Sequence, residues 1–379
     1  MRTSVRIVVG TLVGVLLVVS TLGAGAAAAS PAPWKVFVSP NGRSCGHPGF
    51  SSISVAVAAV HASGTVVVCR GHYNEDVVVT KRVRLVGRHA TVDPSHPVLQ
   101  TNSPLYSLAG NNAFTIMATH VKIEGFRAVH ATGDGIFAAA DRARIAGNWA
   151  FYNGATGISL NGSSHSLVKG NVTARNSGGG ITLANDVGGF VPGATASYDR
   201  VIGNVMRGNP FGCGVVLADH LGTTVPGARG IFGNVIAWNV LRNNGNGGSN
   251  QPDGGGVLLA SEAPGAAVYD NQVMHNKISG SGLGGITVHS HTAGQNFTGN
   301  VFGWNWIGTN NVGGDYADPH TTGIYIGSVG PLSVVVLGNR IHDNRVGIFK
   351  AGPVSLRRRF SNSFVRVHFD VKGTHTYAG

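Results

Sequence analysis

The sequence predicts an all-β fold: one chain wound into a parallel coil of about ten stacked turns, each of three short strands, with a short helix over its N-terminal end. Three observations carry this. Glycine is abundant, 58 of 379 residues, roughly twice its ordinary ~7% share. Charged residues are only 12% and hydrophobic ones 42%, so a large core is available and wholesale disorder is excluded. A Gly-apolar-x-apolar segment recurs along the chain. The glycines have no three-residue period, which excludes collagen. Gly costs about 1 kcal/mol against Ala inside a helix, which argues against a mainly helical protein.

Residues 1–29 read as a signal peptide. Arg2 and Arg6 precede an uncharged run from Ile7 to Ala29 that ends in Ala and Gly, the pattern of a basic head, an apolar stretch and a small-residue cleavage site. The rival is an uncleaved anchor, because the run is long enough to span a bilayer. Its last third is Ala and Gly rather than Leu and Ile, which favours cleavage near Ala29. No second run of that length follows, so no membrane span is expected after cleavage. The expected location is outside the cell, free or wall-associated, and the expected state is a monomer.

Losing Arg2 and Arg6 takes the formal charge from +12 to +10. A protein this basic tends to hold acidic polymers or anionic surfaces. Nucleic acid is not the expected partner, because the basic cluster Arg357–Arg359 has no interleaved aromatics. Three cysteines remain. In an oxidising compartment Cys45 and Cys69 are placed to staple the N-terminal part, leaving Cys213 as a small buried residue; the count of three leaves the pairing open.

Residues 30–130 are expected to form the N-terminal cap and first turns. Val36–Val38 and Gly64–Val68 read as strands. Between them, Ser51 or Ser52 can cap a short amphipathic helix that plugs the open end of the coil.

Residues 131–352 carry the repeat, and 353–379 are read as a C-terminal cap or tail. The segments start at Gly135, Gly157, Gly180, Gly214, Gly256, Gly285, Gly323 and Gly347, with spacings of 22, 23, 34, 42, 29, 38 and 24. Three strands and three turns fit the short spacing, and the long ones add insertions. The first and third apolar residues of each segment share a face, because strand side chains alternate. A second landmark, Asn148, Asn171, Asn204, Asn234, Asn271, Asn300 and Asn339, is expected to form one amide ladder at a corner.

These residues resemble the right-handed parallel β-helix proteins of the pectate-lyase-like superfamily, over roughly residues 34 to 370. The resemblance implies the right-handed coil. It also implies that a polysaccharide site lies over the Gly strands, whose outward residues are Thr182, Val216, Leu258, Thr287 and Tyr325. Insertions between Asn234 and Gly256, Asn271 and Gly285, and Asn300 and Gly323 read as three consecutive long loops walling that floor. Long loops on a rigid scaffold are the usual place for function.

Three residues past the second core position, the column reads Asp141, Ser163, Asp186, His220, Glu262, His291 and Val329, with Asp219 and His289 at the same edge. Stacked ionisable groups shift one another's pKa values, as acid/base chemistry needs. A solvated turn that tolerates any polar residue is the bland alternative. The opposite wall holds Asp318–Pro319–His320, which resembles the Asp-Pro-His of mannuronan C5-epimerases, with Tyr316 two residues upstream where that family's Tyr stands three upstream. The polygalacturonase and pectin methylesterase motifs are incomplete or missing. Trp238 and Trp304 stand in equivalent places, two turns apart, either under a long loop or open to a sugar ring.

The expectation is therefore a secreted protein acting on an acidic, uronate-containing polysaccharide by lyase or C5-epimerase proton abstraction. His220, His291, Asp318, His320, Asp219 and Glu262 are the catalytic candidates. Thr182, Thr287, His289, Tyr316 and Tyr325 are the substrate-contacting ones. A Ca²⁺ ion on Asp186, Asp219 and Glu262 is the one cofactor considered. The alternatives are a carbohydrate-binding or cell-surface protein without turnover, or a hydrolase using Asp219 and Glu262.

Overall fold

Side-chain alternation decides the architecture. In the strand Thr156–Asn161, Ile158 and Leu160 point inward, in register with Ile181 and Leu183 of the next turn. Their files continue through Val215, Val257, Ile286, Ile324 and Ile348, and through Leu217, Leu259, Val288 and Ile326. All of these side chains are fully buried. Each contributes about 1.5–3 kcal/mol over an exposed position, and each backbone is bonded by the turns on either side. The computed structural model describes residues 31–42, 45, 48–95, 111–186, 194–222, 229–246, 254–261, 263–314, 319–357 and 361–377. The expected signal segment 1–29, Glu262, Tyr316 and Asp318 lie outside them.

The Gly strands, the first of each turn, form an eleven-stranded sheet from Val77–Val79 to Phe369–Thr374. The second and third strands belong to a twenty-one-stranded sheet whose pairings run in two parallel files. One file includes Arg144–Ala146, Leu167–Lys169 and Arg200–Ile202. The other includes Trp149–Phe151, Val172–Ala174, Val205–Arg207 and Val240–Arg242. A three-stranded sheet, Ala196–Ser197, Ile231–Phe232 and Val268–Tyr269, pairs beside them.

The helix Ile53–Ala59 starts at Ser52, whose hydroxyl accepts the Val55 N–H. The buried carboxylate of Glu75 takes the Ile53 and Ser54 N–H groups at 2.7 and 3.0 Å. These satisfy donors that a helix start leaves open. Ile53, Ala56 and Val57 join the core. Cys45 and Cys69 are disulfide-bonded, with Cα atoms 5.9 Å apart, and Cys213 is buried.

The asparagines form ladders, but not the single one expected. In the first ladder Asn148, Asn171, Asn204, Asn239, Asn276, Asn305, Asn339 and Asn362 succeed one another, each Oδ1 accepting the backbone N–H of the residue one turn before. A second contains Asn153, Asn176, Asn209 and Asn244. A third runs Asp199, Asn234, Asn271, Asn300. The expected column therefore divides between the first and third ladders, because Gly-Asn or Asp-Asn recurs at two corners of one turn.

This also corrects the loop count. The stretch from Asn234 to Gly256 contains two strands, Val235–Ala237 and Val240–Arg242. Measured from the first ladder, only Asn239–Gly256 and Asn305–Gly323 are long, two turns apart, and Asn276–Gly285 is short. From Asn148 to Asn339, the residue before each first-ladder Asn has a positive φ, a conformation glycine enters without strain. Three turns place rings there instead: Trp238, His275 and Trp304. The rings stack in sequence, 4.1 and 5.5 Å between centroids. Both Trp side chains are exposed, so they are not packed under a loop.

Candidate functional site

The first-strand floor is more covered than its alternation implies. Thr287 is fully buried and its hydroxyl donates to the Gly284 carbonyl at 3.2 Å. Tyr325 is 1% exposed, stacked on Phe349 at 5.6 Å and packed with Val346, Ala351 and Tyr377. Thr182 is half-buried, 3.3 Å from the Thr156 hydroxyl. Thr287 and Tyr325 are therefore not surfaces for a substrate. Tyr377, from the end of the chain, lies so close over Gly327 that a Cβ there would meet its ring at 2.5 Å.

The edge column keeps its register. Leu183, Leu217, Leu259, Val288 and Ile326 pair in order, so Asp186 and His220 stand on adjacent turns. Asp186 Oδ1 bonds His220 Nδ1, and Asp186 Oδ2 accepts the Asn161 amide at 2.9 Å. Burial pushes the Asp186 carboxyl up, but the bond to His220, its charge and the Asn161 amide outweigh burial and hold it below the ordinary value. Both side chains reach solvent, His220 at 53% and Asp186 at 35%. With Nδ1 donating, the neutral ring carries its lone pair on Nε2.

Asp219 has a different task from the one expected. It is 1% exposed. Its Oδ1 accepts the Asn185 amide and the Leu221 and Gly222 N–H groups, and its Oδ2 accepts the Ala267 N–H at 2.8 Å. It organises the turn after its strand. With three donors on Oδ1, one on Oδ2 and 1% exposure, the carboxylate is directed at its own turn rather than at a cation or a glycosidic bond. Among the described residues no three His, Cys, Asp or Glu side chains are grouped to hold a metal ion.

Two turns beyond His220, about 10 Å by strand spacing, stands a ring cluster. His289 lies 5.3 Å from His291, 5.3 Å from Tyr325 and 6.3 Å from Tyr377, and His291 lies 6.1 Å from Tyr377. His289 and His291 are half-buried. His320 is placed by its backbone: its carbonyl accepts the Asn311 amide and the Thr322 hydroxyl at 2.7 and 3.1 Å. The sequence points to neither Asn161 nor Tyr377 as a site residue. Asn161 ends its own Gly strand and could have been read as a column neighbour of Asp186; Tyr377 carries no local signal.

The profile of the family described as right handed beta helix region matches residues 107–302, over half of the chain. The chain belongs to that family. No curated protein sequence matches it. Among solved structures, it is similar to the A-module of mannuronan C-5 epimerase AlgE4 from Azotobacter vinelandii, at 15% identity and a TM-score of 0.59, covering 90% of this chain and 100% of that one. The AlgE6 A-module from the same organism gives 16% identity and 0.53, covering 87% and 96%. At such identities the likeness is one of fold. Among the described residues no helix is long and apolar enough to cross a membrane.

Proposed function

We propose that this protein is secreted and acts on an acidic, uronate-containing polysaccharide by abstracting the proton at C5. The single observation that carries this reading is the Asp186–His220 pair: a solvent-reaching imidazole oriented by an ionised carboxylate on the next turn. His220 Nε2 accepts the C5 proton, and Asp186 and Asn161 hold the ring in place. The return of a proton is assigned to His291, about two turns along. Return of a proton to the opposite face of C5 gives epimerisation; breaking the C4–O bond, with that proton going to the leaving oxygen, forms the C4=C5 double bond of a lyase product.

Support comes from three further sides. The formal charge, +12 for the full sequence and +10 without Arg2 and Arg6, suits a polyanion. The Cys45–Cys69 disulfide suits an oxidising compartment. The epimerase modules that share this fold act, by name, on mannuronan. Tyr325 and Asp219 drop out of the chemistry, the first through burial and the second through its four hydrogen bonds.

The test is incubation with alginate, pectate and glycosaminoglycans, following ultraviolet absorbance for unsaturated uronates and proton NMR for inverted C5. The expected result is change in one polymer, lost in His220→Ala. Turnover that survives His220→Ala overturns the assignment. No change in any polymer, with retained binding, establishes the second reading, a carbohydrate-binding protein without turnover; the burial of Thr287 and Tyr325 on the floor favours that reading.

A further inference from the structure

The outer face of the third strands presents a different surface from the Asp186–His220 edge. There a cavity of about 490 Å³ is lined by Trp149, Phe151, Tyr152, Arg175, Arg207 and Asn243 among others. Its size falls in the range of small-ligand sites, roughly 300–1,000 Å³. Trp149 and Tyr152 are 43% and 50% exposed, large apolar rings left open to solvent. Cations lie over them: Arg127 is 5.2 Å from the Trp149 ring centroid and Arg175 is 5.4 Å from that of Tyr152.

The charge pattern says more. Arg207 and Arg242 are register partners on neighbouring strands, and both are exposed. Like charges directly opposite one another are unfavourable. Among the described residues no carboxylate pairs with either of them or with Arg175. Three guanidinium groups thus stand on successive turns, beside exposed aromatic rings, with no protein anion to satisfy them. An Arg fork matches a carboxylate bidentately, and an aromatic face takes the apolar face of a pyranose.

We propose that this face is a second binding site for a carboxylate-bearing polysaccharide, which crosses the strands with sugar rings on Trp149 and Tyr152 and carboxylates on Arg175, Arg207 and Arg242. The spacing suits a polymer: one strand step is about 4.8 Å, so successive arginines meet successive parts of one extended chain. The site lies on another sheet from the proposed reaction, and it would hold a long substrate to the protein independently of turnover.

The test uses polygalacturonate oligomers, their methyl-esterified form and single-stranded DNA of similar length, with the mature protein. Tryptophan fluorescence follows occupancy, and calorimetry gives affinity over a range of salt. Oligogalacturonate should change the Trp149 signal, and Trp149→Phe should remove that change. Arg207→Ala with Arg242→Ala should lower affinity about tenfold and flatten its salt dependence, with the melting temperature kept. Arg207→Lys with Arg242→Lys should keep the salt dependence and still lose affinity. Unchanged affinity in the double Ala variant overturns the proposal, as does equal binding of the methyl ester or preferred binding of DNA. Binding is read without turnover, so its failure leaves the His220 reaction standing, and loss of that reaction leaves this site standing.

Discussion

Asp199 accepts the backbone N–H of Ser166 at 2.6 Å, in a ladder whose next three places hold Asn234, Asn271 and Asn300. Each of those asparagines also donates; Asn234 Nδ2, for instance, reaches the Ala196 carbonyl at 2.9 Å. An ionised Asp has no proton to give, and Asp199 Oδ2 is buried with no hydrogen-bond partner. Burial pushes the Asp199 carboxyl well above its ordinary value, the Ser166 bond opposes this, and the charge of Asp141 adds to it. Burial thus favours the protonated form, and the carboxyl fills the accepting half of the amide's role through Oδ1. Its stabilisation is fully present below the unfolded pKa, about 3.9, and is lost as pH rises through the folded value. Asp199→Asn should leave stability unchanged near pH 4 and raise it by about 1–3 kcal/mol near pH 8. Denaturant melts at the two pH values check this; an equal effect at both would sink it.

Asp134 gives a second pH effect with the same sign. It is 4% exposed and accepts the Thr156 N–H at 2.7 Å. Burial raises its pKa to about 7 against that bond, and the charge of Asp186 helps. Its contribution should fade between about pH 4 and pH 7. The melting temperature of Asp134→Asn should therefore vary less across that window than that of the wild type. A parallel pair of curves would show that Asp134 ionises freely in the fold.

The ladders should also be the most sensitive sites to truncation. Asn239 is 1% exposed; it accepts from the Asn204 N–H and amide and donates to Val201 and Asn276. Asn239→Ala leaves several buried groups unsatisfied, each worth about 1–3 kcal/mol. The variant should lose at least about 3 kcal/mol, measured by denaturant unfolding. A loss below about 1 kcal/mol would mean that neighbouring turns relax to repair the ladder.

How much of this was legible follows from where the signal sits. The inward files are written locally, because Ile158 and Leu160 or Ile286 and Val288 alternate within one short strand. The Asp186–His220 adjacency was legible for the same reason: both residues hang at a fixed distance from core positions whose register the strands enforce. Asn234 was misassigned because its corner and that of Asn204 share a dipeptide, and insertions hide which corner is which. The burial of Tyr325 was not legible, since Tyr377, which covers it, stands 52 residues later. Arg207 and Arg242 went unread because the repeat was followed on its glycine strands, and their strand has no glycine to mark it.

Trp304 and Gly338 are coupled across one turn. Gly338 has φ +63°, and a Cβ there would meet the Trp304 ring at 2.7 Å. The ring covers the next turn's glycine on one side and stacks on His275 on the other. Gly338→Ala should cost about 1–2 kcal/mol from the left-handed backbone and displace Trp304 from the stack. Tryptophan emission should shift with the melting temperature. A stable variant with unchanged emission would show that the ring has room to give.

The Asp186–His220 pair makes its own titration prediction. In the wild type, burial raises the Asp186 pKa, while the His220 bond and charge, and the Asn161 amide, lower it further than burial raises it. Asp186 therefore stabilises the fold above its unfolded pKa, and that contribution is lost as pH falls through the lowered folded value. His220→Ala removes the larger opposing contributions and leaves burial opposed by the Asn161 amide and a backbone hydrogen bond. The Asp186 carboxyl should then titrate at higher pH than in the wild type, observable by carbon NMR of the labelled side chain. An unmoved titration would mean that the two groups do not meet in solution, and the proposed base would lose its orienting partner. If they do meet, Asp186→Asn should keep the fold and lower polysaccharide turnover about tenfold to hundredfold, because ring orientation and the charge that supports proton transfer are lost together.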